Sequence, residues 1–205
     1  MSELERTDKT LSPDAEDKNL SKPLASWAAL TVAYGLAIYA FNDYEVPSLI
    51  YHAGLLVLTL YFARGINGLS LRIGNFRYGV LVCVGFFGGM ILRLLLWGMP
   101  KFAFALDLAT FSLLLFSPIT EELFWRGLVM QRILKHSQID VLVGSIVNGG
   151  LFALMHLPKI LFLNQGAITL LPIFGLGIVF SLIYYLGKSV YYSTVAHIIQ
   201  NIFAS

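Results

Sequence analysis

The chain has 205 residues, of which 57% are hydrophobic and only 13% are charged, with a mean hydropathy of +0.74. Of its 26 charged residues, ten lie within the first 22 positions. The following 183 residues therefore carry too few charges to cover a water-soluble surface, which excludes a soluble globular domain. The formal net charge of +2 argues against a nucleic-acid partner.

The order of polar and apolar stretches predicts a tail followed by one membrane domain. Residues 1–22 are polar and mixed in charge, which is typical of a disordered tail. Residues 23–205 are predicted to form a single all-α domain, a polytopic transmembrane helix bundle, because apolar runs near 20 residues are what crossing ~30 Å of hydrocarbon requires. About seven spans are predicted, at 25–42, 47–64, 78–98, 103–131, 141–157, 167–186 and 189–204. Pro118 should break or kink the fourth span, which leaves eight spans as the alternative.

Basic residues in the loops indicate the orientation, because Lys and Arg are enriched in cytoplasmic loops. With seven spans, six basic residues fall on one face and two on the other. The first face has Arg64, Arg72, Arg77, Arg132, Lys135 and Lys188, and the second has Lys101 and Lys159. The N-terminal tail is therefore expected in the cytoplasm. A bacterial plasma membrane is favoured, since the chain is compact and shows no endoplasmic reticulum retention signal.

Charged side chains inside the fourth span need a partner or a task, because each costs on the order of 3 kcal/mol near the bilayer centre. Pro118 is expected to end one helix and Thr120 to cap the next, whose first turn would favour two carboxylates. Glu122 and Arg126 are spaced i, i+4 and are predicted to form an ion pair. Neighbours on a helix point about 100° apart, so Glu121 is left for another role.

Glu121 and two further ionisable residues can be compared by their depth in the membrane. Counting about 1.5 Å per residue along straight helices places Glu121, His156 and His197 at one depth, ~15 Å from the cytoplasmic face. His52 and His136 have no such ionisable residues at their depth and are predicted to be interfacial or loop residues.

These residue types suit the hydrolysis of a peptide bond by activated water. A carboxylate beside an imidazole can take a proton from water. His197 and Asn201 share one helix face and are suitable donors to a developing oxyanion, while Phe152 and His156 share a face of another helix. Glu121, His156 and His197 also form a chemically acceptable zinc ligand set, so a metal-dependent reaction stays open at this point.

Three motifs in order on separate spans carry a family resemblance. They are Glu121-Glu122-x-x-x-Arg126, Phe152-x-x-x-His156 and His197-x-x-x-Asn201. The region 103–204 with these motifs resembles the CPBP (CAAX protease and bacteriocin-processing) family of intramembrane proteases. That family includes the type II CAAX prenyl endopeptidases and bacteriocin-processing or bacteriocin-immunity proteins.

The resemblance implies a role for each motif residue. Glu121 would act as general base on water with help from His156, and His197 and Asn201 would bind the oxyanion. The supporting residues would be Glu122, Arg126 and Phe152. Catalysis without a cofactor is expected, and zinc held by Glu121, His156 and His197 is the alternative.

The expected function is therefore an intramembrane endopeptidase of the CAAX prenyl protease type. Its substrate would be a membrane-associated or lipidated, for example prenylated, peptide or protein that arrives from the cytoplasmic side or laterally in the bilayer. The first alternative is a non-catalytic membrane protein of the same fold, such as a bacteriocin immunity factor or a peptide-binding scaffold. The second alternative is a small transporter or channel, but this sequence lacks the paired broken helices of that class.

Overall fold

A computed structural model describes residues 20–64, 69, 71, 73–97, 112–136 and 139–204, and within these residues it is helical with no strand. The helices are α1 (Ser21–Phe41), α2 (Glu45–Phe62), α3 (Phe76–Trp97), α4 (112–136), α5 (Val141–Met155), α6 (Leu157–Phe162), α7 (Leu170–Gly187) and α8 (Val190–Ala204). Only His156 separates α5 from α6, so the described residues form seven rods that correspond to the seven predicted spans. The predicted all-α bundle is confirmed. The predicted tail 1–22 lies almost entirely outside the described residues, as does the start of the predicted fourth span.

Length and surface identify an integral membrane protein. Four rods are long and apolar enough to cross a bilayer: Ser21–Phe41, Glu45–Phe62, Val141–Phe162 and Ala167–Gly187. Large apolar side chains cover the outside of the bundle, as shown by Leu36, Tyr39 and Leu95, each more than 60% exposed. Such a surface is stable against lipid and unstable against water.

Helix α4 is continuous through Pro118, so the expected break and new N-terminus were wrong. The helix has a π-helical turn at Ser112–Phe116, an α-helical stretch at Ser117–Glu122, a π-helical stretch at Leu123–Met130 and an α-helical end at Gln131–His136. The wider π-helical turn accommodates Pro118, which has no N–H to donate. Thr120 is not a cap, because it lies inside the helix and its hydroxyl donates to the Ser117 carbonyl at 3.0 Å. The carboxylates of α4 therefore depend on neighbouring side chains, not on a helix terminus.

Close packing of α5 against α7 fixes the back of the site. A Cβ on Gly149 would lie 2.8 Å from the Ile178 side chain, and one on Gly177 would lie 2.8 Å from the Gly149 Cα. Small residues at both positions allow the two backbones to approach closely, as is common between membrane helices.

An aromatic cluster joins α1, α2 and α4 on the other side. The Trp27 indole donates to the Tyr51 hydroxyl at 3.1 Å, and its ring packs edge-on against Trp125 at 5.1 Å. Tyr34 stacks on Tyr51 with ring centroids 4.6 Å apart. Because these rings are buried, they hold α1 and α2 against the helix that carries the acidic motif.

Contacts between the ends of neighbouring helices define two faces of the bundle. On one face, which we call the basic face, Arg132 donates to the Phe62 carbonyl at 2.7 Å and the Asn75 amide donates to the Gly187 carbonyl at 2.8 Å. On the opposite face, the Lys159 ammonium lies 4.6 Å from the centre of the Tyr44 ring. Tyr44 lies in the turn between α1 and α2, one helix length away from Phe62.

Candidate active site

Glu121 is a buried carboxylate whose two oxygens have different surroundings. The residue lies on α4 and is 3% exposed. Oε1 accepts a hydrogen bond from the Ser117 hydroxyl at 2.6 Å and lies 2.9 Å from His52 Nε2. Oε2 has no hydrogen-bond partner among the described residues and lies 3.8 Å from His197 Nε2. One oxygen is thus held in place while the other is left to accept a proton.

His52 belongs to this site, so its prediction as an interfacial or loop residue was wrong. It is buried on α2, where its Nδ1 lies 2.7 Å from the Ser48 carbonyl. A carbonyl oxygen only accepts, so Nδ1 carries a hydrogen. Nε2 is then the ring nitrogen that faces both Glu121 Oε1 and, at 2.9 Å, the Ser117 hydroxyl. Ser48 therefore orients His52 so that Nε2 shares a proton with the carboxylate.

Glu122 forms the expected ion pair and a second contact that spacing did not predict. Its Oε1 accepts from Arg126 Nη1 at 2.8 Å, with both side chains fully buried. The same oxygen lies 3.0 Å from His197 Nδ1, which therefore carries a hydrogen. Arg126 also donates through Nη2 to the Gly177 carbonyl at 2.8 Å. Glu122 thus orients His197 and presents its Nε2 toward Glu121.

Aromatic rings fix the His197 and Arg126 side chains. Phe180 stacks on the His197 ring with centroids 4.8 Å apart, and Phe152 meets the same ring edge-on at 5.7 Å. The Arg126 guanidinium lies 4.8 Å from the centre of the Phe152 ring. Phe152 is therefore placed where a supporting residue was expected, and Phe180 is a supporting contact that the sequence did not single out.

His156 lies at the junction of α5 and α6 and faces the same space. Its Nδ1 lies 3.0 Å from the Phe152 carbonyl, so this nitrogen also carries a hydrogen. Nε2 is left as the acceptor in the neutral ring. Asn201, one turn after His197 on α8, lines the same space. The side chain of His136, the other histidine predicted outside the site, lies outside the described residues.

These groups line one cavity of about 230 Å³, the polar cavity. Its polar lining includes Ser117, Glu121, His52, His156, His197 and Asn201. The rest of the wall is formed by Tyr34, Tyr44, Ser48, Tyr51, Leu114, Met155 and Lys159, of which Tyr44 and Lys159 lie toward the face opposite the basic face. The structure thus brings together all four predicted catalytic residues and adds His52 and Ser117.

An apolar groove of about 400 Å³ runs beside the polar cavity, between α1 and α2. Its walls include Leu30, Ala37, Val46 and Ile50, and Tyr34 and Tyr51 line both spaces. The two tyrosines therefore separate a lipid-facing groove from the carboxylate site. This groove had no signal in the sequence, since its walls are ordinary apolar residues of two different spans.

The metal alternative can be tested against the geometry of the ligands. Among the described residues, no three His, Cys, Asp or Glu side chains come together as a group that would hold one ion. Glu121 Oε1 and His197 Nδ1 are already engaged by protein partners. These two contacts leave Glu121 Oε2 and His197 Nε2, 3.8 Å apart, so zinc held by Glu121, His156 and His197 stays the alternative that treatment with a chelator tests.

Two serine residues that the sequence analysis did not predict in the site could have been found from their spacing to a histidine or a carboxylate. Ser117 precedes Glu121 by four residues, and Ser48 precedes His52 by four. Both spacings place the side chains on one helix face. Nothing local links His52 to Glu121, because that contact joins α2 to α4 across 69 positions.

The fold and the geometry of the site define the class of protein. It is a polytopic α-helical membrane protein with a buried site of carboxylate and imidazole groups. Residues 102–203 match the family described as Type II CAAX prenyl endopeptidase Rce1-like. The chain therefore belongs to this family of proteases, in agreement with the CPBP resemblance, and the match contains all three motifs. No curated protein and no solved structure matches the chain.

Proposed function

We propose that the protein is an intramembrane endopeptidase that hydrolyses a peptide bond with water activated by Glu121. The observation that carries the proposal is the asymmetry of this carboxylate. Oε1 is fixed by Ser117 and His52, whereas Oε2 has no hydrogen-bond partner among the described residues in a cavity that holds two further imidazoles. A buried acceptor without a partner is costly, which supports a role in binding and deprotonating water.

The reaction follows from the placement of each group. A water molecule between Glu121 Oε2 and His156 Nε2 gives its proton to the carboxylate as its oxygen attacks the carbonyl carbon. His197 Nε2–H, in the protonated ring, and the Asn201 amide donate to the oxyanion. Glu121 then delivers the proton to the leaving nitrogen, and the C–N bond breaks to give an acid and an amine.

Glu122 and His52 support this chemistry indirectly, through His197 and Glu121. Glu122 accepts from His197 Nδ1 at 3.0 Å, and this contact turns His197 Nε2 toward the position of the oxyanion. His52 carries its hydrogen on Nδ1 toward Ser48, so that its Nε2 holds Glu121 Oε1 in place while Oε2 takes the proton from water. The apparatus thus needs no nucleophilic side chain.

The space beside the site supports a lipidated substrate. A groove with almost entirely apolar walls suits an acyl or prenyl chain, and it shares Tyr34 and Tyr51 with the polar cavity. A membrane-associated, lipidated peptide would place its chain in the groove and its peptide bond at Glu121. The same groove lets the substrate arrive sideways from the bilayer.

Orientation favours this lateral route over direct access from the cytoplasm. The polar cavity lies toward Tyr44 and Lys159, opposite the face with Arg132 and Lys188. If the basic face is cytoplasmic, as the loop charges indicate, the cavity lies toward the other side of the membrane. If the N-terminal tail is cytoplasmic, the substrate therefore does not reach the cavity directly from the cytoplasm. We propose that the tail is cytoplasmic and that the substrate enters laterally from the bilayer.

The test is cleavage of a pool of membrane-anchored and prenylated peptides by the purified protein in detergent. Wild type is compared with Glu121→Gln, and Glu45→Gln serves as the control because Glu45 is an exposed carboxylate at the start of α2. Cleavage that Glu121→Gln abolishes and Glu45→Gln retains is expected, with and without a strong chelator. Full activity of Glu121→Gln in folded protein would refute the proposal, and loss on chelation would show a metal-dependent reaction. A wild type that cleaves nothing would favour the non-catalytic binding role.

A further inference from the structure

Asn148 is a buried amide on α5 that no step of the hydrolysis uses. The residue is fully buried. Its Nδ2 donates to the Trp125 carbonyl of α4 at 2.8 Å, and its Oδ1 lies 3.3 Å from the Ser181 hydroxyl of α7, which donates. A buried amide is costly unless it is hydrogen-bonded, and both polar atoms of this one bond to neighbouring helices. Asn148 thus links α4, α5 and α7.

The carbonyl that Asn148 binds lies in the π-helical stretch of α4, Leu123–Met130. A π-helix bonds each N–H to the carbonyl five residues earlier instead of four, which is rare and frequently occurs at functional sites. Such a stretch changes to the α-helical register only if the residues before it rotate about the helix axis relative to those after it. Because Glu121 and Glu122 come directly before the stretch, its register decides which way both carboxylates point. A donor from α5 stabilises this register.

The same carbonyl also fixes the start of the Arg126 side chain, because it belongs to the peptide group directly before this residue. Arg126 donates to Glu122 Oε1 and to the Gly177 carbonyl, each at 2.8 Å. The Ser181 hydroxyl lies 2.8 Å from the same Gly177 carbonyl, so its one hydrogen is shared between that oxygen and Asn148 Oδ1. Asn148 and the guanidinium of Arg126 are therefore parts of one buried network.

We infer that Asn148 is a positioning residue for the oxyanion donor His197. This inference rests on the proposed hydrolytic function. Asn148 holds the π-helical register of α4, and that register with Arg126 fixes Glu122. The Glu122 carboxylate in turn accepts from His197 Nδ1 at 3.0 Å and so aims Nε2 at the oxyanion. Loss of the Asn148 amide therefore misplaces Glu122 and His197 without removing a group that touches the substrate.

The test replaces Asn148 with a residue of similar size that makes no hydrogen bond. Asn148→Leu is expected to lower kcat for a prenylated peptide about 10- to 100-fold and to change KM by less than about twofold, because a misplaced donor weakens the transition state more than substrate binding. Ser145→Ala is the matched control and should keep the wild-type kcat. Ser145 is also fully buried on α5, but its hydroxyl donates within its own helix, to the Val141 carbonyl at 2.8 Å.

A second comparison separates positioning from a loss of stability. In a His197→Gln background, measured in single turnovers, Asn148→Leu should change the rate by less than about twofold, because the residue through which it acts is already absent. A merely structural role would lower the rate by the same factor in both backgrounds, which would overturn the inference. A wild-type kcat in folded Asn148→Leu would overturn it as well.

A third measurement does not depend on cleavage. In protein labelled with ¹⁵N in the histidine rings, the Nδ1–H proton signal of His197 is assigned by its absence in His197→Gln. Asn148→Leu is expected to shift this signal, and Ser145→Ala is expected to leave it in place. If wild type cleaves nothing, the proposed hydrolysis has failed on its own and this signal decides. An unchanged signal in Asn148→Leu would overturn the positioning role.

A milder variant keeps the inference testable if Asn148→Leu does not fold. Ser181→Ala removes the hydrogen shared with Asn148 Oδ1 and keeps the bond to the Trp125 carbonyl. It is expected to shift the His197 signal in the same direction by a smaller amount. A signal at the wild-type position in Ser181→Ala would then refute the inference.

Discussion

Arg126→Ala should destabilise the protein strongly, because it removes the cation from a fully buried cluster. The guanidinium donates to Glu122 Oε1 and to the Gly177 carbonyl, each at 2.8 Å, and packs over the Phe152 ring at 4.8 Å. After truncation, Glu122 would stay buried with its only described partner being His197 Nδ1 at 3.0 Å.

The size of the effect follows from the buried pair. Removing one partner of a buried ion pair costs about 3–5 kcal/mol, because the remaining charge is uncompensated. The surviving contact from His197 places this variant near the lower end. A loss of about 3 kcal/mol corresponds to roughly a hundredfold shift of the folding equilibrium. Replacing both partners, as in Glu122→Gln with Arg126→Met, removes the stranded charge and should recover part of the loss.

The assay is the unfolding of purified protein in mild detergent as the mole fraction of dodecyl sulfate is raised. Arg77→Ala is the control, since Arg77 is an exposed arginine near the start of α3. Arg126→Ala should unfold at a clearly lower mole fraction than Arg77→Ala, and the double variant should lie between them. An Arg126→Ala protein as stable as wild type would refute the structural role of the cluster.

Three further predictions concern the site, the groove and the orientation. His52→Gln should lower kcat about 10- to 100-fold with little change in KM, because it weakens a hydrogen bond to a charged carboxylate; unchanged kcat would remove His52 from the site. Ala37→Phe, which fills the apolar groove, should raise KM for a prenylated peptide, whereas Ala40→Phe on the exposed side of α1 should not. Equal effects of the two variants would show that the groove does not bind the substrate. In a cysteine-free background, Gln165→Cys should react with an impermeant thiol reagent in intact cells and Arg64→Cys only after permeabilisation, and the reverse pattern would invert the orientation.

The parts of the structure that were predictable are those with a local pattern. Apolar length located the spans, and the i, i+4 spacing predicted the contact between Glu122 and Arg126. Depth counting selected Glu121, His156 and His197, which line one cavity.

The parts that were missed depend on contacts between distant spans. His52 has no acidic or imidazole neighbour three or four residues away, so only the packing of α2 on α4 reveals its place beside Glu121. Pro118 predicts a break, but a π-helical turn before it keeps α4 continuous. With no helix terminus at the acidic motif, its two carboxylates are held by side chains of α2, α4 and α8 instead.

The central claim is that water, not a protein side chain, attacks the substrate, with Glu121 as the base. A single turnover in water enriched in ¹⁸O measures this directly, because mass spectrometry then locates the label. We expect one ¹⁸O atom in the newly formed carboxyl group of the product and none in the Glu121 peptide of the protein. Label in the Glu121 side chain would show that the carboxylate forms a covalent intermediate, which would contradict the account.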